Sequence, residues 1–370
     1  MAPPARHPTV WRSAALVLAV AAVVPFVGRG GTLSAGATFH FALIGDVPYT
    51  TADSAHLPAL VTDINNDAQV ALVAHAGDIK NGSTTCATAE LQARFEAFQA
   101  FDDAFWYTPG DNDWTDCHRA TPASNPIERL AALRGIFYPN PAQTTGGAPR
   151  PVESQASDPA HSTFVENTMF HEQCVTFGAI HVVGSLNATE PWVGESPAQT
   201  LEREAAATAR SAANEAWIDE VFDAASARGS DGVFLLMQAA PSSSAPFAAV
   251  RARIVARAQE FAGPVIVAHG DGHVYTVTPN YLGLANVTRW ETYGAAGATN
   301  QWIKVAVDCG SPTIFGHTTV ITGTTPNPTT STSSSTSSTS SSVPGPTGGI
   351  GVASATQTAE RLSGTTTSEG

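Results

Sequence analysis

Gly110-Asp111-Asn112-Asp113-Trp114-Thr115-Asp116-Cys117 is the stretch whose reading decides the fold. The apolar run Phe105-Trp106-Tyr107 ahead of it reads as a short buried strand, and metal-capable side chains crowd the turn that leaves it. Two similar junctions lie upstream. Phe41-Ala42-Leu43-Ile44 runs into Gly45-Asp46, and Val70-Ala71-Leu72-Val73 runs through Ala74-His75-Ala76 into Gly77-Asp78. A fourth polar cluster, His269-Gly270-Asp271-Gly272-His273, follows Pro264-Val265-Ile266-Val267-Ala268. In open α/β sheets, sites form outside the carboxyl ends of strands. Glycine lets the chain turn sharply there, and Asp offers a hard oxygen to a divalent cation. One strand followed by Gly-Asp is a common turn. Three in order, then a His-bearing cluster, predict a site that gathers Asp and His from several strand ends around metal.

The pattern between these junctions supports the same layout. Residues 56–66, 87–101, 127–136, 197–228 and 248–261 carry apolar residues at helical spacing. Strands are expected at 39–44, 70–76, 105–108, 233–237 and 264–268, with a hairpin at 174–178 and 181–185. Residues 287–291, 302–307 and 313–321 read as antiparallel strands, and 138–171 as a long irregular connection. Alternating strands and helices predict a layered α/β body.

In these junctions the chain resembles the calcineurin-like metallophosphoesterases. The resemblance covers roughly residues 39–321 and rests on Gly45-Asp46-Val47-Pro48, Gly77-Asp78-Ile79-Lys80-Asn81, Gly110-Asp111-Asn112-Asp113, Gln238 after Phe234-Leu235-Leu236-Met237, and Gly270-Asp271-Gly272-His273. It implies a four-layer α/β/β/α sandwich of mixed sheets. It also implies hydrolysis of phosphate mono- or diesters by a metal-bound hydroxide, with one or two divalent ions (Mn, Mg, Fe or Zn). By the resemblance Asp78 bridges the ions. Asp46 and His273 complete the first, and Asp111, Gln238 and Asp271 the second, with His269 as a possible extra imidazole. Pro48 stands where the family has a histidine ligand, Asp111 where it has Asn, and Gln238 and Asp271 where it has His. These changes shift the donors from nitrogen to oxygen, which favours a harder metal or a single ion. Asn112 replaces the histidine that usually protonates the leaving group, with His118 as a substitute. Asp113 belongs to the same catalytic turn, although Asp there also caps turns. Tyr49 and Asn81 lie close enough to take part. The rival reading is a catalytically degenerate metal-binding extracellular interaction module.

The 370 residues suffice for one large domain and a tail. A net charge of -14 argues against nucleic acid as the main partner, but not against a small phosphate ester, because bound metal reverses the local field. Residues 1–37 read as a signal peptide: Arg6 and Arg12, an apolar stretch at 14–27, then Ala35-Gly36-Ala37. An uncleaved anchor is the other reading. The 14–27 stretch is short for a comfortable membrane span, so no stable span is expected in the mature chain. By the same resemblance, residues 38–322 are expected to form the calcineurin-like phosphoesterase domain. Residues 323–370 are Ser/Thr/Pro-rich, are expected to be disordered, and could associate with a cell surface. Cys86, Cys117, Cys174 and Cys309 suit disulfides in a secreted or periplasmic protein. Three pairings are open, and a Cys86–Cys117 bridge would staple two loops of the site.

Overall fold

The computed structural model describes residues 38–325; the expected signal segment and almost all of the tail lie outside the described residues. The apolar runs before the three Gly-Asp turns form β1 (Phe39–Ile44), β2 (Val70–His75) and β3 (Ala104–Tyr107), which lie parallel and adjacent. β12 (Gln301–Val307) pairs antiparallel with β1, β13 (Phe315–Ile321) with β12, and β4 (Thr145–Gly146) with β3, giving six strands in the order β13-β12-β1-β2-β3-β4.

The second sheet has seven strands. β5 (Glu153–Ser154), β6 (Thr168–Glu172) and β7 (Val175–Ala179) pair antiparallel in turn. β7 then runs parallel to β8 (Gly232–Leu236), β8 to β9 (Val265–His269), and β9 to β11 (Val287–Glu291), with β10 (Thr276–Thr278) antiparallel on the edge.

Successive side chains of a strand point to opposite faces, and the central strands of each sheet are buried on both. Phe41, Leu43, Leu72, Ala74 and Trp106 of the first sheet meet Phe170, Phe177, Phe234, Leu236 and Trp290 of the second. The alternate positions Ala42, Ile44, Val73 and Phe105 pack on α1 (Thr51–Asn66), α2 (Thr88–Phe98) and α3 (Pro126–Phe137). Val233, Leu235 and Val267 pack on α4 (Pro197–Arg228) and α5 (Ala248–Glu260). The result is the expected four-layer α/β/β/α sandwich of mixed sheets.

Three expectations are corrected. The hairpin joins β6 to β7, and residues 181–185 form no strand. The irregular connection holds β4, β5 and most of β6, whose polar residues Thr168, His171 and Glu172 broke the apolar alternation. β11 pairs parallel with β9 rather than antiparallel. Cys86 is bridged to Cys117 and Cys174 to Cys309. Among the described residues no helix is long and apolar enough to cross a membrane.

Candidate metal centre

Parallel strands put their carboxyl ends on one edge of each sheet, and both edges contribute here. Asp46 follows β1, Asp78 follows β2 and Asp111 follows β3; Gln238 follows β8, while Asp271 and His273 follow β9. The structure brings these six side chains into one hydrogen-bonded network.

Two atoms organise it. The first is the Tyr49 hydroxyl, 2.6 Å from Asp78 Oδ2, 3.3 Å from Asp46 Oδ1 and 3.3 Å from His273 Nε2. The second is Gln238 Nε2, 3.3 Å from Asp78 Oδ2 and 3.1 Å from both Asp111 Oδ1 and Asp271 Oδ1. Asp78 Oδ2 is common to both, and Asn112 Nδ2 also donates to it at 2.7 Å. Asp271 and half-exposed His273 lie at the mouth, and Asp46, Asp78 and Gln238 at the floor.

The glycines of the motifs make room for the carboxylates. A methyl group added at Gly110 would land on the Asp78 side chain, and one at Gly270 on that of Asp46. The backbone is bent to the same end. Asp46, Asp78, Asp271 and His273 all have φ between 52° and 70°, a region costly for residues other than glycine. Such strain concentrates at functional sites.

Burial raises the acids. It lifts Asp46 to about 6. Burial, then the charges of Asp116 and Asp271, lift Asp111 to about 8. Burial, then Asp111, Asp46 and Asp113, hold Asp78 well above the usual carboxylate range. His273 is raised by its hydrogen bond to Asp46. Six carboxylates, those of Asp46, Asp78, Asp111, Asp113, Asp116 and Asp271, thus share one small volume. Lys80 donates to the Asn112 carbonyl and Arg119 pairs with Asp116. Clustered buried charge of one sign is costly unless neutralised.

Not every expected residue enters the network. His269 turns aside: Nδ1 sits 2.6 Å from the Gly270 carbonyl, and the buried Nε2 has no partner. His118 accepts from the Val193 N–H at 2.9 Å, and no hydrogen bond of the described residues joins it to the network. Asp113 lies behind Asp78, wholly buried, accepting from the N–H groups of Asp78, Ile79 and Gly110 and from the Tyr107 hydroxyl. It braces the turn and does not face the mouth. Gln238 presents its nitrogen to the acids, since its Oε1 accepts from the Gly184 N–H at 2.7 Å. It therefore offers hydrogens where the resemblance implied a ligand.

Sequence reasoning missed Gly184 and Ser185, and gave Lys80 of the second motif no role. Ser185 Oγ lies 2.8 Å from Asp111 Oδ2 and 2.7 Å from Asp116 Oδ1. The only sequence signal was a Gly-Ser pair after the apolar run Ile180-His181-Val182-Val183.

Asp46, Asp78 and His273 supply two carboxylates and an imidazole around a single point held by a hydroxyl on a half-buried ring. The second point is filled by a carboxamide. As the chain is folded, no three His, Cys, Asp or Glu among the described residues are grouped as a metal cage.

No family model and no curated protein matches the sequence. Among solved structures, the calcineurin-like phosphoesterase YfkN from Bacillus subtilis is similar at 12% identity over 78% of this chain and 91% of that one, with a TM-score of 0.40. Purple acid phosphatase PPD1 from yellow lupin is similar at 11% identity over 78% and 52%, with a TM-score of 0.45. GAP50, the anchor in the inner membrane complex of Plasmodium, is similar at 8% identity over 79% and 87%, with a TM-score of 0.43. The assignment of the fold rests on the layers and strand order above, not on these scores.

Proposed function

We propose that the chain is a secreted hydrolase of phosphate mono- or diesters that works with one divalent cation. The observation that carries this reading is the convergence of Asp46 Oδ1, Asp78 Oδ2 and His273 Nε2 on the Tyr49 hydroxyl. These donor types suit a borderline or hard cation, and the surrounding excess of carboxylates calls for a positive charge. When bound, such an ion supplies Lewis acidity toward a phosphoryl oxygen. The residues around it would do the rest. Asp78 receives the Asn112 N–H on Oδ1 at 3.0 Å, so its carboxylate is held in one orientation. Asn112 Nδ2 directs its two hydrogens to Asp78 Oδ2 and the Tyr49 hydroxyl and has no acidic proton to give up. The reading therefore favours substrates whose leaving group departs without general acid help, such as aryl esters. The two disulfides fit an oxidising compartment.

The test is release of p-nitrophenol from mono- and bis-esters after addition of Mn, Mg, Fe or Zn, with the metal content of the desalted protein measured alongside. Turnover that depends on added metal, with an ion retained by the protein, supports the proposal. No turnover with any of these ions sinks it.

A second reading has its own observation. Tyr49, Asn112 and Gln238 already donate to the carboxylates, as expected of a catalytically silent extracellular module. Metal retention without hydrolysis would favour that reading.

A further inference from the structure

We infer that the Gln238 carboxamide permanently fills the place of a second divalent cation, so that the centre has one exchangeable cation position and one built-in donor. The inference takes its first position from the single-cation reading; the closed second position stands on separate observations.

Three carboxylates, those of Asp78, Asp111 and Asp271, point an oxygen at one nitrogen from 3.1–3.3 Å. That arrangement would otherwise suit a cation shared by three acids. The orientation of the amide is fixed by its far side. A backbone N–H can only donate, and the Gly184 N–H lies 2.7 Å from Oε1, so Oε1 is the acceptor and the nitrogen faces the acids. An amide nitrogen has no lone pair free to bind metal. Its two hydrogens stand in for part of the missing positive charge.

The side chain also cannot step aside. Gln238 is fully buried. A methyl group added at Gly77 would come within 2.7 Å of Gln238 Cγ and 2.8 Å of Cβ. The stem is thus packed onto the Gly77 backbone, which has φ of 86° and cannot yield without moving the Asp78 turn. The two positions differ in this respect. Tyr49 is a loop residue that keeps part of its surface exposed. Gln238 is wedged at the floor between the two sheets.

The experiment compares the wild-type chain with Gln238→Glu and Gln238→His. Glu keeps the shape and the acceptor for Gly184 while replacing the amide hydrogens with an acid oxygen; His supplies an imidazole. Each protein is loaded with Mn(II) and desalted. Metal per chain is counted by plasma mass spectrometry, circular dichroism reports the fold, and electron paramagnetic resonance reports any exchange-coupled Mn pair. We expect either folded variant to retain one more ion per chain than the wild type. Folded variants with no additional ion overturn the inference. So does a coupled Mn pair in the wild type, a result that requires no variant to fold. A wild-type chain that retains no ion would sink the single-cation reading, while a gain of one ion in the variants would still uphold the closed second position.

Discussion

Asp78 is the residue on which the centre turns. Its Oδ2 receives Tyr49, Asn112 and Gln238, and its Oδ1 receives the Asn112 backbone. Asp78→Asn keeps the shape and removes the charge. On the single-cation reading it should abolish ion retention and lower turnover by at least about 10²-fold. In the metal-free protein the same change removes one of several repelling buried acids but turns an NH2 toward donors that the carboxylate now receives, so these oppose each other and the melting temperature should move little. Calorimetry with and without Mn separates the two effects: a variant less stable in both conditions would mean that Asp78 acts only in folding. Asn112 allows a gain-of-function test. It lies within 2.7 Å of the Tyr49 hydroxyl, where an imidazole could donate a proton. Asn112→His should speed hydrolysis of alkyl phosphates by up to about 10²-fold and leave p-nitrophenyl phosphate nearly unchanged. Equal acceleration of both substrates would argue against proton donation.

At the scale of elements, the segment after β7 behaves least like its sequence. Ser185, Leu186, Asn187 and Ala188 all lie in the left-handed region, with φ of 48°, 56°, 55° and 53°. Each costs roughly 1–2 kcal/mol relative to the right-handed form, and none is glycine. The turn persists because its surroundings hold it. The buried guanidinium of Arg210 donates to the Asn187 carbonyl, Asn187 Nδ2 donates to the Pro246 carbonyl, and Ser185 reaches two acids of the centre. Leu186 is 48% exposed and packs little, so Leu186→Gly should stabilise the protein by about 1 kcal/mol, as read by urea unfolding. A loss of stability would mean that this side chain is needed for packing. The same turn marks where legibility ended. The strands leading into Asp46, Asp78, Asp111 and Asp271 were plain because continuous apolar runs break into Gly-Asp, and α4 was plain because its apolar face repeats over many turns. No composition signal announces a left-handed run without glycine. Nor could the order of residues show that Gln238 turns hydrogens inward, since that follows from Gly184, a partner 54 positions away. His269 looked like a ligand by proximity, but it ends a strand whose alternation points it out of the network.

For the molecule as a whole, one buried network ties the α3 side of the sandwich to the second sheet. Arg134 of α3 pairs with Glu166, which accepts from His181 Nδ1 at 2.7 Å, and Trp114 Nε1 lies 3.1 Å from His181 Nε2. An indole N–H only donates, so Nε2 carries the lone pair and His181 is neutral. Protonating it would break the bond to Trp114. Burial pushes His181 down from 6.5 to about 4, opposed by Glu166 and assisted by Arg210 and Arg134. Burial pushes Glu166 up, yet Arg134 and His181 bring it down to about 2. The sign follows from which state takes the proton first. An unfolded histidine protonates below about 6.5, before the folded one, so the contribution of His181 is complete above that pH and is lost on descent toward 4. The contribution of Glu166 is lost only lower, as pH falls from 4.5 toward 2. The raised carboxylates of the centre act in the opposite direction, because lowering the pH relieves their repulsion. The prediction is therefore a difference. Between pH 7 and 4 the wild type should lose about 2–3 kcal/mol more unfolding free energy than His181→Gln, which cannot titrate. Urea unfolding across that range, in metal-free buffer, measures it. Parallel curves for the two proteins would mean that His181 takes up its proton as readily in the folded chain as in the unfolded one, and that the bond from Trp114 does not hold it neutral.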